Sequence, residues 1–406
     1  MEDLYEESVL LHATLRGKLA IRSKVHIRTR HDLSLAYTPG VAEVSRRVAA
    51  DPDLAYRYTL KGNSVAIISD GSAVLGLGDI GGYGAIPVME GKAILFKEFA
   101  DIDAFPICFA SKEGDLVEQI RNIAPVFGGI NLEDIAAPRC FAIEEALLDL
   151  GIPVMHDDQH GTAIVVLAAL INACRVTGRN LEDLVVVISG AGAAGTAITR
   201  LLRCLGIRPD ICTSVRDIRV CDRKGIIYRG RPDLPEIPHK DLIARQTNHD
   251  NLAGTLADAL IGADVFIGVS APNLATPEMV RSMGTHPVVF ALANPVPEIL
   301  PAAAHEGGAV IVGTGRSDYH NQINNVLAFP GVFRGALDAG ATRINDEMKL
   351  AAAHALADYV KRPNREYILP NIIDRNVTRR VAEAVSRAAI TSGAVREGIQ
   401  PSPLQK

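Results

Sequence analysis

The sequence predicts an α/β protein in two parts, a first α/β domain over residues 1–155 and a doubly wound parallel sheet after it. Three observations carry this. Short segments rich in Val, Ile and Ala recur between helical stretches, which is the cadence of strands joined by crossover helices. Aromatic residues make up only 5% with no Trp, against 35 Gly and 22 Pro. The core is therefore aliphatic and turns are frequent, which favours α/β over an aromatic-rich β-sandwich. Finally, LVVVISGAGAAGTAITRLLRCLG (184–206) reads as strand, glycine turn and helix in direct succession.

Composition excludes several function classes. With 406 residues, 48% hydrophobic and 22% charged, the chain is long enough and apolar enough to fold rather than remain disordered. The net charge is −5 and Lys and Arg are scattered, so no nucleic-acid footprint is present. The N-terminal stretch lacks the basic-then-apolar order of a signal peptide, and no run reaches the roughly 20 apolar residues that span a bilayer. A cytoplasmic protein with no membrane partner is expected. The six Cys (108, 140, 174, 204, 212 and 221) show no C-x-x-C spacing and read as reduced core residues, not as a disulfide or a zinc site.

In order along the chain, residues 5–20 and 40–50 read as helices and SVAIISD (64–70) as a strand. Seven glycines then fall between 71 and 91, so the next helix is expected only around Pro87 and the run VMEGKAILFKEFA. AFPICFA (104–110) is a second strand. AIVVLAALINACRVTG (163–178) is too long for a strand and reads as a buried helix closed by Gly178, joining the two parts. IRVCD (218–222), DVFIGVS (264–270), PVVFALA (287–293) and AVIVGTG (309–315) are short strands in helical surroundings. They place a Rossmann-type nucleotide domain over 156–375. INDEMKLAAAHALADYV (344–360) and DRNVTRRVAEAVSRAAI (374–390) are helical, and the segment 376–406 is expected to pack back on the core.

The pattern G-x-G-x-x-G occurs twice, at Gly76–Gly81 and at Gly190–Gly195. The pattern alone is weak, so context decides. The second copy follows a pure apolar strand and opens into an Ala/Leu-rich helix. Gly190 permits the tight turn, Gly192 lets backbone approach a pyrophosphate, and Gly195 lets helix and strand pack closely. Gly190, Gly192, Ala193, Ala194 and Gly195 are thus the candidate cofactor turn. The first copy carries Asp79, which repels phosphate, and its glycines run on to Gly82 and Gly84 without a clean helix start. It reads as a structural or substrate-facing loop. Asp222, at the end of the following strand, is the candidate for the adenosine ribose hydroxyls, which favours NAD. Arg223 beside it could pair with the extra phosphate of NADP, so the cofactor stays open between the two.

Glu133-Asp134 and Asp157-Asp158 are adjacent acidic pairs. Isolated acids of this kind ordinarily sit at helix starts, stabilised by the dipole. Together they could form an all-oxygen site for Mg²⁺ or Mn²⁺. Zinc is disfavoured despite His156 and His160, because Gly161 interrupts the helical template and no glutamate base follows. Lys92 lies on a mainly apolar helix. It would normally extend to solvent, but facing a cleft beside a cation its pKa would fall and it could act as a base. Tyr37, on the turn of SLAYTPGVA, is either a packing residue or a general acid.

Taken together the motifs resemble the malic enzymes over nearly the whole chain. SLAYTPGVA (34–42), DGSAVLGLGDIG (70–81), INLEDIAAPRCF (130–141), HDDQHGTA (156–163), SGAGAAG (189–195), LANPVPE (292–298) and NNVLAFPG (324–331) occur in that family's order. The resemblance implies a smaller N-terminal α/β domain and a Rossmann-type nucleotide domain around a cleft, in the short bacterial form. It implies oxidative decarboxylation of (S)-malate to pyruvate and CO₂ with NAD or NADP and a divalent Mg²⁺ or Mn²⁺ ion, in a homodimer or homotetramer. By the same resemblance Glu133, Asp134 and Asp158 are metal ligands with Asp157 a close neighbour, Lys92 is the base and Tyr37 the acid. Asn294, Asn324 and Asn325 line the substrate and nicotinamide pocket. One departure stands out: where long forms carry a substrate-holding Arg in the loop DGERILGLGD, this chain has Ala73. The metal and the amides of Asn294 and Asn324 are then the candidates for holding the substrate carboxylate. Rival readings are a malolactic enzyme, a metal-independent 2-hydroxy-acid dehydrogenase and a non-catalytic nucleotide sensor.

Overall fold

Four helices precede the first strand: α1 (Glu2–Leu15), α2 (Arg30–Ala36), α3 (Val41–Ala50) and α4 (Ala55–Tyr58). In this computed structural model, which describes residues 2–74, 76–110 and 114–397, none of α2, α3 and α4 buries a residue. Leu4, Val9, Leu10 and Leu15 of α1 are likewise exposed.

The chain then enters a four-stranded sheet. Strand β1 (Ser64–Ser69) is buried at every position, as a strand covered on both faces must be. Helix α5 (Gly81–Ala100) leads to β2 (Asp103–Cys108), α6 (Leu116–Ile123) to β3 (Gly129–Leu132), and α7 (Arg139–Ala146) to β4 (Val154–His156). The order is β2-β1-β3-β4 and every pairing is parallel. Parallel strands point their C-terminal ends the same way, so the loops after β1, β3 and β4 meet at one edge. Helix α5 begins earlier than expected, at the third glycine of the first G-x-G-x-x-G copy, and carries Pro87 inside it. The reason is close packing: a Cβ on Gly82 would lie 2.2 Å from the Phe109 carbonyl oxygen, so only glycine lets the helix start against the end of β2.

Helix α8 (Asp157–Thr177) follows β4 without a loop and is closed by Gly178 in the left-handed region (φ 70°). By length and composition it could cross a membrane, but most of it is buried inside the protein. The second sheet comprises β5 (Val185–Ser189), β6 (Asp217–Asp222), β7 (Gly225–Ile226), β8 (Val265–Gly268), β9 (Val288–Ala291) and β10 (Ile311–Thr314). Its order is β10-β9-β8-β5-β6-β7, parallel except for β7. Helices α9 (Ala193–Leu202), α10 (Pro238–Gln246), α11 (Leu256–Leu260), α12 (Pro277–Arg281) and α13 (Pro301–Glu306) connect them. The chain leaves β5 toward β6 on one side and returns to β8 on the other. The ends of β5 and β8 therefore flank the switch point where nucleotides bind in such sheets.

Helices α14 (Phe329–Asp338), α15 (Asp346–Tyr359) and α16 (Arg375–Thr391) complete the chain. Helix α15 packs on α8, and α16 lies on α14, α15 and α5. Phe96 of α5 meets Phe329 and Phe333 of α14 edge-on, at ring separations of 4.8 and 5.4 Å. One aliphatic core thus runs from β1 and α5 through α8 into the C-terminal helices. The final part of the segment 376–406, residues 398–406, lies outside the described residues.

One expectation is corrected. Cys204 and Cys212 form a disulfide, with Cα atoms 5.9 Å apart, while Cys108, Cys140, Cys174 and Cys221 are free. The segment after α9 folds back, with the Val215 N–H donating to the Leu202 carbonyl. That return brings the two cysteines together although their sequence spacing matches no motif.

Candidate active site

The acidic pairs stand at the C-terminal ends of neighbouring strands. Leu132 of β3 pairs with His156 of β4, so Glu133-Asp134 and Asp157-Asp158 leave the sheet side by side. Oxygens of Glu133, Asp134 and Asp158 lie within 4.8 Å of one another. Asp134 adopts φ 53°, and its backbone N–H donates to Asp158 Oδ2 at 2.8 Å. The Asn131 amide donates to Glu133 Oε2 at 2.8 Å. Burial raises the Glu133 pKa, with the Asp158 charge adding to it. The Asp158 side chain is 31% exposed, yet it sits in dense protein. Desolvation and the charge of Asp157 push it up to about 6. Buried carboxylates this close repel one another, and a hard divalent cation removes that cost. The donor set fits Mg²⁺ or Mn²⁺, whose preferred ligands are oxygens.

Lys92 reaches this cluster from the middle of α5. Its Nζ lies 2.8 Å from Glu133 Oε1 and 2.5 Å from Asp157 Oδ2, and 4.1 Å above the Phe329 ring. The lysine is buried and does not extend to solvent. Burial alone would depress its ammonium pKa, but the Asp157 and Glu133 carboxylates outweigh that and hold it above the ordinary value. The lowering expected beside a cation is opposed here by two anions that face the ammonium. Asp157, in turn, is pushed up to about 7 by burial and by Glu133.

The second glycine pattern opens α9 at the end of β5. Gly190 has φ 119°, and a Cβ there would lie 2.5 Å from the Val269 carbonyl oxygen beyond β8. A Cβ on Gly195 would lie 1.8 Å from the Gly190 carbonyl oxygen, whereas Gly192 faces open space. The first and third glycines are therefore demanded by packing, and Gly192 leaves backbone bare at the helix start. Gly192 is the N-cap and offers no side chain to the helix N-terminus, so Ala193, Ala194 and Gly195 present N–H groups to an anion. Asp222 stands beside this turn, because the Gly190 N–H donates to the Cys221 carbonyl at 2.9 Å.

Comparison with known proteins agrees with this geometry. Residues 16–115 match the family described as malic enzyme, N-terminal domain, and residues 159–390 match malic enzyme, NAD binding domain. A bifunctional malic/malolactic enzyme of Bacillus subtilis is 52% identical, the alignment covering 98% of this chain and 96% of that one. The NADP-dependent malic enzyme of Halomonas elongata is 48% identical over 94% and 92% of the two chains. The crystal structure of the NAD-dependent malic enzyme of Thermotoga maritima superposes with a TM-score of 0.89 at 49% identity, covering 93% of this chain and 98% of that one. The chain belongs to the malic enzymes. It is accordingly an NAD- or NADP-dependent oxidoreductase that decarboxylates malate.

The remaining residues singled out as malic-enzyme motifs divide into two sets. Asn294, three residues past the end of β9, enters a cis bond to Pro295, and its carbonyl oxygen lies 3.2 Å from where a Cβ on Gly76 would stand. The first glycine loop thus reaches the asparagine of LANP across the cleft. Asn325 approaches the cluster: its Cβ lies 3.1 Å from the position a Cβ on Gly161 would take, next to Asp157. Asn324 instead caps a short turn, its Oδ1 accepting from the Val326 N–H at 3.0 Å. Tyr37 is not brought in. It is 67% exposed, and its phenol makes no hydrogen bond with the cluster among the described residues. Ala73 is exposed, and its N–H donates to the Asp134 carbonyl at 3.0 Å, so the position of the missing arginine does border the carboxylates.

Two functional residues escaped the sequence reading. Glu144 of α7 is a clamp on the β4–α8 junction: it accepts from the His156 N–H at 2.8 Å and the Gln159 amide at 3.2 Å, and lies 3.0 Å from His160 Nε2. Gly161, read from the sequence as interrupting the helix, lies inside the continuous α8, where it is needed because a Cβ would fall 1.8 Å from Asp157 Oδ1. The signal for Gly161 lay in its spacing, four residues after Asp157 and thus directly above it on a helix. Nothing local marked Glu144.

Proposed function

We propose that this malic enzyme converts (S)-malate and NAD(P)⁺ to pyruvate, CO₂ and NAD(P)H, with a divalent cation held by Glu133, Asp134 and Asp158. The observation that carries this reading is the contact of Lys92 with that carboxylate cluster at 2.8 Å. When bound, the cation would polarise the substrate oxygens and offset the carboxylate charge that now holds Lys92 protonated, and the nicotinamide would accept hydride. Lys92, its pKa lowered by burial and by that cation so that it is the neutral amine, takes the C2-hydroxyl proton. Asp157, 2.5 Å from Nζ, fixes the amine toward the substrate and can receive the proton onward. Asn294 and Asn325 line the substrate side, and Tyr37 delivers a proton to C3 after CO₂ leaves.

The role of Tyr37 goes with a second part of the proposal, assembly of two or four copies. It lies on an N-terminal arm whose apolar residues Leu4, Val9, Leu10, Ile21, Val25 and Ile27 are all more than half exposed. Exposed large apolar side chains gathered on one segment are the kind of surface that marks a protein contact. A second copy covering the arm would seat the Tyr37 loop against protein.

The test is an assay of malate with Mn²⁺ and each cofactor, following NAD(P)H and pyruvate. Oxaloacetate accumulating without pyruvate would refute decarboxylation, and full activity in EDTA would refute the cation. Lactate formed with no net reduced cofactor would identify the malolactic reaction, which the name of the Bacillus subtilis relative makes the second reading.

A further inference from the structure

Asp222 occupies the place where an acidic residue receives the adenosine ribose hydroxyls, but its acceptor capacity is already taken. Oδ1 accepts from the Lys224 N–H at 2.9 Å and from Arg231 Nη1 at 3.0 Å, and Oδ2 accepts from Arg231 Nη2 and Lys240 Nζ, both at 2.6 Å. An ionised carboxylate offers about four such positions. A ribose diol would have to displace a charge-assisted bond to reach it, exchanging a strong contact for a weaker one.

The surroundings carry the opposite charge. Arg231 is 5% exposed and bridges Asp222 to Asp233, which also meets Lys224 at 3.1 Å. Lys240 projects from the first turn of α10 and keeps part of its surface open. Arg223, the next residue after Asp222, is exposed and makes no ion pair among the described residues. Four cations, Arg223, Lys224, Arg231 and Lys240, thus face two carboxylates, Asp222 and Asp233, beside the glycine turn. The excess is positive where NAD presents only hydroxyls and NADP presents a dianionic phosphate.

We propose that this chain selects the 2′-phosphorylated dinucleotide, with Arg223 and Lys240 as the phosphate-facing cations and Asp222 as the post that holds Arg231 and Lys240 in place. The inference rests on reading the Gly190–Gly195 turn as the dinucleotide site. Its chemistry is a point-charge and fork arrangement suited to a phosphate monoester, supplied by residues 1, 9 and 18 positions from the acid.

Calorimetric titration of the full-length, metal-free protein with NADP⁺, NAD⁺, 2′,5′-ADP and 5′-ADP tests it without any turnover. NADP⁺ should bind about tenfold or more tighter than NAD⁺, and 2′,5′-ADP tighter than 5′-ADP, with both gaps narrowing as salt rises. Arg223→Ala and Lys240→Ala should each weaken NADP⁺ more than NAD⁺. Equal or tighter binding of NAD⁺ overturns the selection while leaving the glycine turn as the dinucleotide site. Equal weakening of both cofactors by each variant assigns these residues to structure and also overturns it. Failure of all four ligands to bind overturns the turn reading itself.

Discussion

The two acidic regions of this chain are satisfied in opposite ways. At Asp222 a single carboxylate is enclosed by Arg231, Lys240 and a backbone N–H. Their hydrogen bonds outweigh burial and hold it well below the usual carboxylate range. At the cleft, Glu133 and Asp157 both meet Lys92, and burial raises Glu133, Asp157 and Asp158. The first region is complete in the polypeptide alone. The second crowds carboxylates whose burial disfavours their charged forms, an arrangement that a divalent cation would relieve.

Removing the shared lysine breaks the comparison most. Lys92→Ala should lower kcat about 10²–10⁴-fold, the range for a lost general base, and a variant retaining near-normal turnover would sink that role. Circular dichroism and melting separate this from misfolding. At the satisfied site the damage should appear as stability instead. Asp222→Ala strands the buried Arg231 guanidinium and should cost about 3 kcal/mol in chemical denaturation. A loss below about 1 kcal/mol would mean that Asp233 suffices as its partner.

How much of this was legible in the sequence follows the same division. The cluster came only from the resemblance to the malic enzymes, because the short strands β3 and β4 that set the two acidic pairs side by side were not read from the sequence. The glycine turn was readable because steric demand is local, as the crowded positions of Gly190 and Gly195 show. Asp222 does end its strand as read, but its partners arrive 9 and 18 residues later on a turn and on α10, and no spacing rule reports that. Glu144 acts from α7 on a backbone N–H of β4, a contact created only by tertiary folding. The burial of Lys92 depends on Phe329 of α14, more than 200 residues away. The start of α5 was misplaced because seven glycines outweigh, in any local reading, a packing demand that only the end of β2 imposes.

Smaller changes sharpen the cleft side. Gly161→Ala forces a methyl into Asp157 Oδ1 and should cost about 1–3 kcal/mol of stability, as overpacking does. It should also lower kcat, since Asp157 can no longer hold Lys92. Glu144→Gln keeps the shape but loses the charge on the junction clamp, and should weaken Mn²⁺ activation about 10-fold, the low end for outer partners of metal ligands. An unchanged Mn²⁺ concentration dependence would reduce Glu144 to a packing role.

The smallest effect is thermodynamic and bears on the comparison directly. Burial pushes Asp158 up to about 6 and Asp157 up to about 7, both above their unfolded value near 3.8. Between pH 4 and 7 the native state therefore binds more protons than the unfolded chain, and stability falls as pH rises through that window. A bound cation replaces those protons, so its stabilisation should grow over the same range. Melting with and without Mn²⁺ should show a gap at pH 7.5 that exceeds the gap at pH 5.5 by about 2 °C or more. Asp222, whose pKa is lowered, contributes a slope of the opposite sign that fades above about pH 5 and so adds almost none between pH 5.5 and 7.5. A Mn²⁺ effect of equal size at both pH values would mean that the cleft carboxylates are already relieved within the protein, and the contrast between the two regions would disappear.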